Sequence, residues 1–188
     1  FLSEMRKVSK RPRAEMYGPL RIEGSTFTDF YPWHSYYSTQ KVGQANSDFA
    51  LWQIHGFWFY KRSLVIGSMD YASAIHRLRE WIYETSNRKR TIGTENWIGA
   101  KSWVDIFLHN DLVIIGLSLG SQETSLRWLL IEREKYFRNF PERRRKTVYC
   151  INGERDEAWD AGKAFYFQSI CVDCRVIKSG KELYEIWE

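Results

Sequence analysis

The sequence predicts an α/β protein with a Rossmann-like, mostly parallel sheet and helices on both faces of that sheet. Short apolar runs that suit buried strands alternate along the chain with longer segments whose apolar residues recur at helical spacing. The best strand, LVII at residues 112–115, leads through a turn of small residues directly into a helical segment. Because strand, helix and next strand are joined by right-handed crossovers, this order favours an open sheet flanked by helices.

Length and composition indicate one globular domain. The chain of 188 residues is long enough for a single hydrophobic core, and we expect one domain over residues 1–188. Hydrophobic residues make up 44% of the chain, and no apolar run approaches the roughly 20 residues that span a bilayer, so we expect no membrane partner. An odd cysteine count of three favours reduced thiols and a cytoplasmic location.

The net charge of +5 is concentrated in short basic clusters: RKVSKRPR near the start, RKR at residues 88–90 and RRRK at residues 143–146. Such clusters can contact nucleic-acid backbones, and the aromatic segment FYPWHSYY (residues 30–37) could stack on bases. Short clusters in separate segments are more often solvated loops, so nucleic-acid binding is the less favoured hypothesis. For residues 30–37 a packed aromatic cluster is the default interpretation, with a site contact as the alternative.

The first half of the chain predicts two strands and two helices after a loop-rich start. Residues 1–48 show no clear periodicity, and we expect loops with one early helix. Residues 49–56 (FALWQIHG) predict a buried strand with His55 at its carboxyl end, and SLVIGSMDY predicts a second strand that ends at Gly67. The segments YASAIHRLREWIYETS and GAKSWVDIFLHN predict helices.

The second half predicts alternating strands and helices. The segment SQETSLRWLLIEREKYFRNF predicts a helix with Ser121 as its N-cap and Pro141 beyond its end. One face of that helix carries the residues expected to be buried: Leu126, Leu129, Leu130, Arg133 and Phe137. The remaining segments predict a strand (KTVYCING), a helix (ERDEAWDAGKAFYFQSI), a strand (CVDCRVI) and a terminal helix (SGKELYEIWE).

The turn after LVII matches the Gly-x-Ser-x-Gly pattern of a nucleophile elbow, with Gly116, Ser118 and Gly120 in the required positions. In an α/β-hydrolase an acid and then a histidine follow the nucleophile along the chain. All four histidines of this chain precede Ser118. A serine hydrolase is therefore disfavoured.

The same turn could instead bind a nucleotide, which requires fewer specific residues than a serine hydrolase does. Small residues let the backbone approach phosphate or ribose oxygens, and the next helix directs free N–H groups towards negative charge. Gly116, Ser118, Gly120 and Ser121 are small enough for this purpose. The alternative is that the glycines serve only turn geometry and close packing.

Two further strand ends carry polar side chains that suit a nucleotide site. His55 follows LWQI, and Asn152 follows VYCI. A histidine can accept a proton from a sugar hydroxyl near neutral pH, and an asparagine can both donate to and accept from ribose hydroxyls. Purely structural roles are the alternative for both residues. Because carboxyl ends of parallel strands share one edge, we expect these residues to face the same crevice.

Three short motifs in this order resemble the sirtuin-like NAD-binding superfamily. They are IHG at residues 54–56, GLSL at residues 116–119 and IN at residues 151–152, each expected at a strand end. The resemblance covers residues 49–188. It implies that His55 is the catalytic base acting on the nicotinamide ribose, that Gly116, Ser118 and Leu119 contact the dinucleotide, and that Asn152 binds the adenosine ribose.

The chain also departs from that superfamily. Sirtuin deacylases carry a zinc module of two Cys-x-x-Cys pairs between the first two motifs, and residues 57–111 contain no cysteine, so deacylation is not expected. Cys150, Cys171 and Cys174 offer three thiols, but zinc would need a fourth ligand, so no bound metal is expected. The superfamily's glycine-rich loop should lie upstream, and no such loop is found, so we expect this chain to lack the amino-terminal part of the domain.

Domains of this kind without the zinc module are similar to bacterial antiphage effectors that hydrolyse NAD to nicotinamide and ADP-ribose. The resemblance therefore implies NAD hydrolysis by the complete protein, with NAD as substrate or ligand and a homo-oligomer or a partner domain as its context. The alternative is an inactive module for nucleotide binding or oligomerisation.

Overall fold

The computed structural model describes residues 17–21, 33–38, 50–58, 60–83, 97–100, 102–120, 122–152, 161–179 and 182. Within this part of the chain the structure is mixed α/β and includes a three-stranded parallel sheet, so the predicted class is confirmed at that level, and the full Rossmann-like sheet stays a prediction. The chain divides into two compact units, one of residues 1–70 and 81–105, the other of residues 71–80 and 106–188. Since two compact units can belong to one domain, the single domain stays a prediction.

The first unit contains an antiparallel sheet of three strands, β1 (Tyr17–Arg21), β2 (Ser35–Ser38) and β3 (Ala50–Leu51), in that order. Strands β1 and β2 lie within residues 1–48, where the sequence predicted loops and one early helix but no strand was assigned. The strand expected over residues 49–56 is shorter than predicted, and it pairs antiparallel with β2. The strand before His55 therefore does not belong to the parallel sheet, contrary to our expectation.

A tight turn follows β3 where the sequence predicted that the strand would continue. Gly56 has a φ of +96°, and a Cβ atom there would lie 2.1 Å from the carbonyl oxygen of Ser63. The backbone N–H of Phe57 donates to Oγ of Ser63 at 2.8 Å, and that hydroxyl donates to the carbonyl of Tyr60 at 2.6 Å. The prediction of a second strand that ends at Gly67 was wrong. A 3-10 turn (Lys61–Ser63) and residues 64–67, which are neither strand nor helix, lead to helix α1 (Ser68–Tyr83).

Tryptophan rings form the core of the first unit. Trp33 meets Trp81 and Trp103 edge-on, with ring centroids 5.0 and 5.7 Å apart. The indole N–H of Trp97 donates to the carbonyl of Trp81 at 2.6 Å, which satisfies a buried donor. Trp33, His34 and Tyr36 are all buried, so the described part of the aromatic segment, residues 33–37, contributes a packed cluster, as the default interpretation predicted. Residues 30–32 lie outside the described residues.

The second unit contains a parallel sheet of three strands, β4 (Leu112–Ile115), β5 (Thr147–Asn152) and β6 (Asp173–Ile177), in that order. All three strands lie within the predicted segments. Leu112 is opposite Thr147 in the register, and Asn152 is opposite Ile177. The central strand β5 is buried along residues 147–151, as expected for a strand flanked on both sides.

Helix α3 (Thr124–Asn139) connects β4 to β5, and helix α4 (Ala161–Ser169) connects β5 to β6. The predicted buried face of α3 is confirmed, and it consists of Leu126, Leu129, Leu130, Arg133 and Phe137. The helix ends before Pro141, as predicted, and a 3-10 turn (Pro141–Arg143) follows it. The N-cap of α3 is Glu123, so the prediction of Ser121 as N-cap was wrong. Most of the predicted terminal helix lies outside the described residues.

Both connecting helices cover the same face of the parallel sheet. Arg133 of α3 donates to the hydroxyl of Thr147, and Phe167 of α4 stacks on Tyr149 with ring centroids 4.5 Å apart. Thr147 and Tyr149 are two residues apart on β5, so their side chains point to one face. Right-handed crossovers that step in one direction produce this arrangement. Helices on both faces of the sheet stay a prediction, because these two crossovers define one face only.

Helix α1 and helix α2 (Trp103–His109) occur where the sequence predicts them. No helix among the described residues is both long and apolar enough to cross a membrane.

Candidate nucleotide site at the carboxyl edge of the parallel sheet

The backbone turns sharply where β4 ends. Gly116 has a φ of +70°, and a Cβ atom at this position would meet no atom within 4 Å. The glycine is therefore required by backbone conformation and not by close packing. Leu119 also adopts a left-handed conformation, with a φ of 48°. Such a conformation costs a non-glycine residue about 1 to 2 kcal/mol, and burial of the Leu119 side chain opposes that cost.

Tyr149 holds this turn in place from the neighbouring strand. Its hydroxyl lies 2.9 Å from the carbonyl oxygen of Leu117 and 3.3 Å from that of Ser118, and it donates to this pair. The ring is 2% exposed, so the hydroxyl would be costly to bury without these acceptors. Tyr149 was not among the predicted site residues. The available signal was a tyrosine within a strand predicted to be buried, since a buried hydroxyl needs a partner.

The turn and the end of β5 lie at one edge of the sheet. Strands β4 and β5 are adjacent and parallel, with Ile115 opposite Cys150, so both carboxyl ends point the same way. Gly116, Ser118 and Leu119 follow β4, and Asn152 is the last residue of β5. Ser118 is exposed, and its hydroxyl oxygen accepts a weak 3.4 Å hydrogen bond from the N–H of Gly120. The predicted proximity of the GLSL turn and Asn152 is therefore present in the fold.

A carboxylate stands at the start of helix α3. Glu123 is the N-cap, but its side chain makes no capping hydrogen bond. Its Oε2 atom is buried and has no hydrogen-bond partner among the described residues. Burial and the negative charge of Glu123 raise the pKa of Tyr71. A negative charge at the N-cap stabilises the helix end and disfavours a second anion there.

His55 belongs to the first unit and not to this sheet edge. It lies in the turn after β3, is partly exposed, and accepts a 3.0 Å hydrogen bond from the N–H of Val65 through its carbonyl. Gly56, the second residue of the IHG motif, has a structural role because Ser63 packs against its Cα. The structure thus brings together Gly116, Ser118, Leu119 and Asn152 but does not add His55 to their sheet.

The cysteines form no disulfide. Burial raises the pKa of the Cys150 and Cys174 thiols, and Asp173 contributes to the shift at Cys174. Within the described part of the chain, no group of three or more His, Cys, Asp or Glu side chains is arranged to hold a metal ion.

The basic cluster at residues 143–146 is engaged in ion pairs. Arg144 donates to both carboxylate oxygens of Glu134, at 2.8 and 3.1 Å. Arg143 donates to the hydroxyl of Tyr136 at 2.9 Å and lies 3.5 Å from Glu142. These contacts neutralise part of the charge that a nucleic acid would use. The other two basic clusters lie outside the described residues.

Comparison of the chain with family models, with curated proteins and with solved structures gives no match. The resemblance to the sirtuin-like superfamily therefore stays a prediction from three short motifs.

Proposed function

We propose that this chain is a sirtuin-like NAD-binding domain whose ligand site lies at the carboxyl edge of β4 and β5. The proposal includes a Rossmann-like sheet of which β4, β5 and β6 form one part. One observation supports it above the others. Two adjacent parallel strands bring the left-handed turn at Gly116 and the terminal Asn152 to the same edge. Ligands of open α/β sheets bind beyond this edge.

The local chemistry supports a dinucleotide. The absence of a side chain at Gly116 leaves open space beside the backbone, so phosphate or ribose oxygens can approach it. The exposed Ser118 hydroxyl can donate to or accept from such a ligand. The amide of Asn152, as the resemblance implies, pairs with ribose hydroxyls.

NAD binding is tested by calorimetric titration of the chain with NAD. A Gly116→Ala variant should bind NAD at least about tenfold more weakly, because its methyl group occupies the space into which the ligand fits. Gly67→Ala is the matched control, since its added Cβ meets only Asp70 at an ordinary 3.5 Å. Absence of NAD binding by the native chain, or equal affinity in Gly116→Ala, would contradict the proposal.

We further propose that the bound NAD is hydrolysed to nicotinamide and ADP-ribose, with His55 as the base that activates the attacking water. The support here is the IHG motif and its order in the chain, since His55 lies in the other unit. Release of nicotinamide from NAD should disappear in His55→Ala and persist in His76→Ala, which changes an exposed histidine. Binding without release from the native chain would leave the alternative, an inactive nucleotide-binding or oligomerisation module.

A further inference from the structure

Strand β6 is an outer strand of the parallel sheet, and it is exposed on both faces. It pairs with β5 on one side, and no strand of the described part of the chain pairs with its other side. Val176 is 53% exposed, and Asp173 and Arg175 are exposed as well. The central strand β5 is by contrast buried along residues 147–151. The outer edge of β6 therefore presents backbone N–H and C=O groups on which another strand can pair.

Two opposite charges follow each other along this edge. Asp173 and Arg175 are two residues apart on β6, so their side chains point to the same face of the sheet. The guanidinium of Arg175 donates from Nε to Oδ2 of Asp173 at 2.9 Å. Outer strands that avoid pairing commonly carry lysines, whose like charges repel an approaching strand. The charges of β6 differ in sign, so they can complement those of a second β6.

An antiparallel copy of β6 fits these charges in one register. Residues that lie opposite each other share a face of the sheet, so one residue always faces its own counterpart. When that residue is Cys174, Asp173 of each copy lies opposite Arg175 of the other. When it is Asp173 or Arg175, like charges lie opposite each other, which destabilises the pairing. When it is Val176, each Arg175 lies opposite Ile177, and no ion pair joins the copies.

The register centred on Cys174 also extends the ion pair that the chain already contains. The pair of Asp173 and Arg175 within each strand and the pairs between the strands form a ring of four charges with alternating signs. A network of this kind stabilises more than an isolated surface ion pair does. On the other face of the sheet, Val176 of each copy lies opposite Val172 of its partner, so the exposed apolar side chain gains an apolar neighbour.

We propose that two copies of this chain pair antiparallel through β6, with Cys174 on the twofold axis. The two three-stranded parallel sheets then form one continuous sheet. Each copy offers the same surface to the other, as in most symmetric dimers. This interface does not depend on the proposed NAD site.

The charge pairing is tested by sedimentation velocity over chain concentrations from about 1 to 200 µM, which gives the dissociation constant of the dimer. Arg175→Asp places carboxylates opposite each other, so the dissociation constant should rise at least about tenfold. Asp173→Arg should have the same effect through opposed guanidinium groups. The double variant Asp173→Arg/Arg175→Asp restores the alternating ring and should dimerise about as tightly as the native chain.

The matched control is Arg145→Asp, which reverses the charge of an exposed arginine that precedes β5. It should retain the dissociation constant of the native chain. Circular dichroism establishes that each variant is folded.

The register is tested by thiol cross-linking with a short bis-maleimide. Residues opposite each other in an antiparallel pair have Cβ atoms about 4.5 to 5.5 Å apart, so the reagent should join Cys174 to its counterpart. All three cysteines are free thiols. The cross-linked dimer should form in the native chain and in Cys171→Ser, and it should be lost in Cys174→Ser.

A native chain that stays monomeric at about 200 µM would overturn the proposal. A dimer whose dissociation constant is unchanged in both single variants would also overturn it, because the copies would then meet through another surface. A folded double variant that stays monomeric, or a native yield of cross-linked dimer in Cys174→Ser, would overturn the register.

Discussion

The guanidinium of Arg133 donates from Nε to the hydroxyl of Thr147 at 3.0 Å, and so joins the middle of helix α3 to the first residue of β5. The same group donates to the carbonyls of Asn110 and Lys146, at 2.7 and 3.1 Å, and to that of Phe107. Burial lowers the pKa of Arg133 to about 10, yet the group remains charged at neutral pH. One buried cation thus holds together the chain segments that enter β4 and β5.

Arg133→Met should lower the free energy of unfolding by about 3 kcal/mol or more, because it leaves several buried acceptors without a donor. Urea denaturation followed by circular dichroism measures this change. Arg145→Met, at an exposed arginine of the basic cluster, should change the same quantity by less than about 0.5 kcal/mol. A loss below about 1 kcal/mol in Arg133→Met would show that the network contributes little.

His34 should make stability depend on pH. Burial lowers the pKa of His34 in the folded chain, although hydrogen bonds with the backbone of Ile98 and Ala100 oppose the shift. The neutral form is therefore favoured by folding. This contribution is complete above the unfolded-state pKa of about 6.5, and it is lost as the pH falls through the lower folded-state value, by at most about 1.4 kcal/mol per pH unit.

Urea denaturation between pH 7.5 and pH ~5 tests this effect. A His34→Gln variant, which does not titrate, should show a flatter dependence on pH over this window. His76→Gln, at a histidine whose side chain is 72% exposed, should retain the native slope. If the free energy of unfolding changed with pH equally in the native chain and in His34→Gln, the assignment of this pH dependence to His34 would be contradicted.

Gly56 and Gly116 both have positive φ, but alanine should affect them differently. At Gly116 an added Cβ meets no atom within 4 Å, so Gly116→Ala should cost only about 1 to 2 kcal/mol of backbone strain. At Gly56 the added Cβ would lie 2.1 Å from the Ser63 carbonyl oxygen, so Gly56→Ala should cost more than about 3 kcal/mol. Thermal unfolding of the two variants measures the difference, and similar melting temperatures would contradict it.

The Tyr149 hydroxyl should matter for both stability and ligand binding. Tyr149→Phe removes the donor to Leu117 and Ser118, which should cost about 1 to 2 kcal/mol of stability and weaken NAD binding through a looser turn. Tyr166→Phe removes a comparable hydroxyl, which donates to the carbonyl of Arg127 at 2.8 Å. It should lower stability to a similar extent without changing NAD affinity. If Tyr149→Phe bound NAD as tightly as Tyr166→Phe does, the result would argue against a role for the turn in NAD binding.

The second unit was the more predictable part of the fold. Helix α3 shows apolar residues at helical spacing and a following Pro141, and β4 and β5 are continuous apolar runs, so local signals agree with the final structure. The first unit was less predictable. Ala50 and Leu51 belong to an apolar run that suits a strand, but apolarity does not specify which strand it pairs with.

Of the candidate site, the sequence predicted only the strand ends that form its backbone. Gly116 and Asn152 follow strands that the sequence shows clearly, and the parallel pairing of those strands brings them to one edge. Tyr149 could not be assigned to the turn, because its hydroxyl contacts residues that are distant in sequence. His55 was predicted to lie at this edge because the strand before it was expected to belong to the parallel sheet. The sequence does not show that this strand pairs with β2.

The most direct test of the central claim is hydrogen–deuterium exchange of the native chain with and without saturating NAD, measured by mass spectrometry on peptides from both units. The account predicts that NAD slows exchange in peptides that cover the turn at residues 116–120 and the end of β5 at Asn152, while peptides from β2 remain unchanged. Unchanged exchange at the turn and at the end of β5, with NAD bound, would contradict a ligand site at this edge.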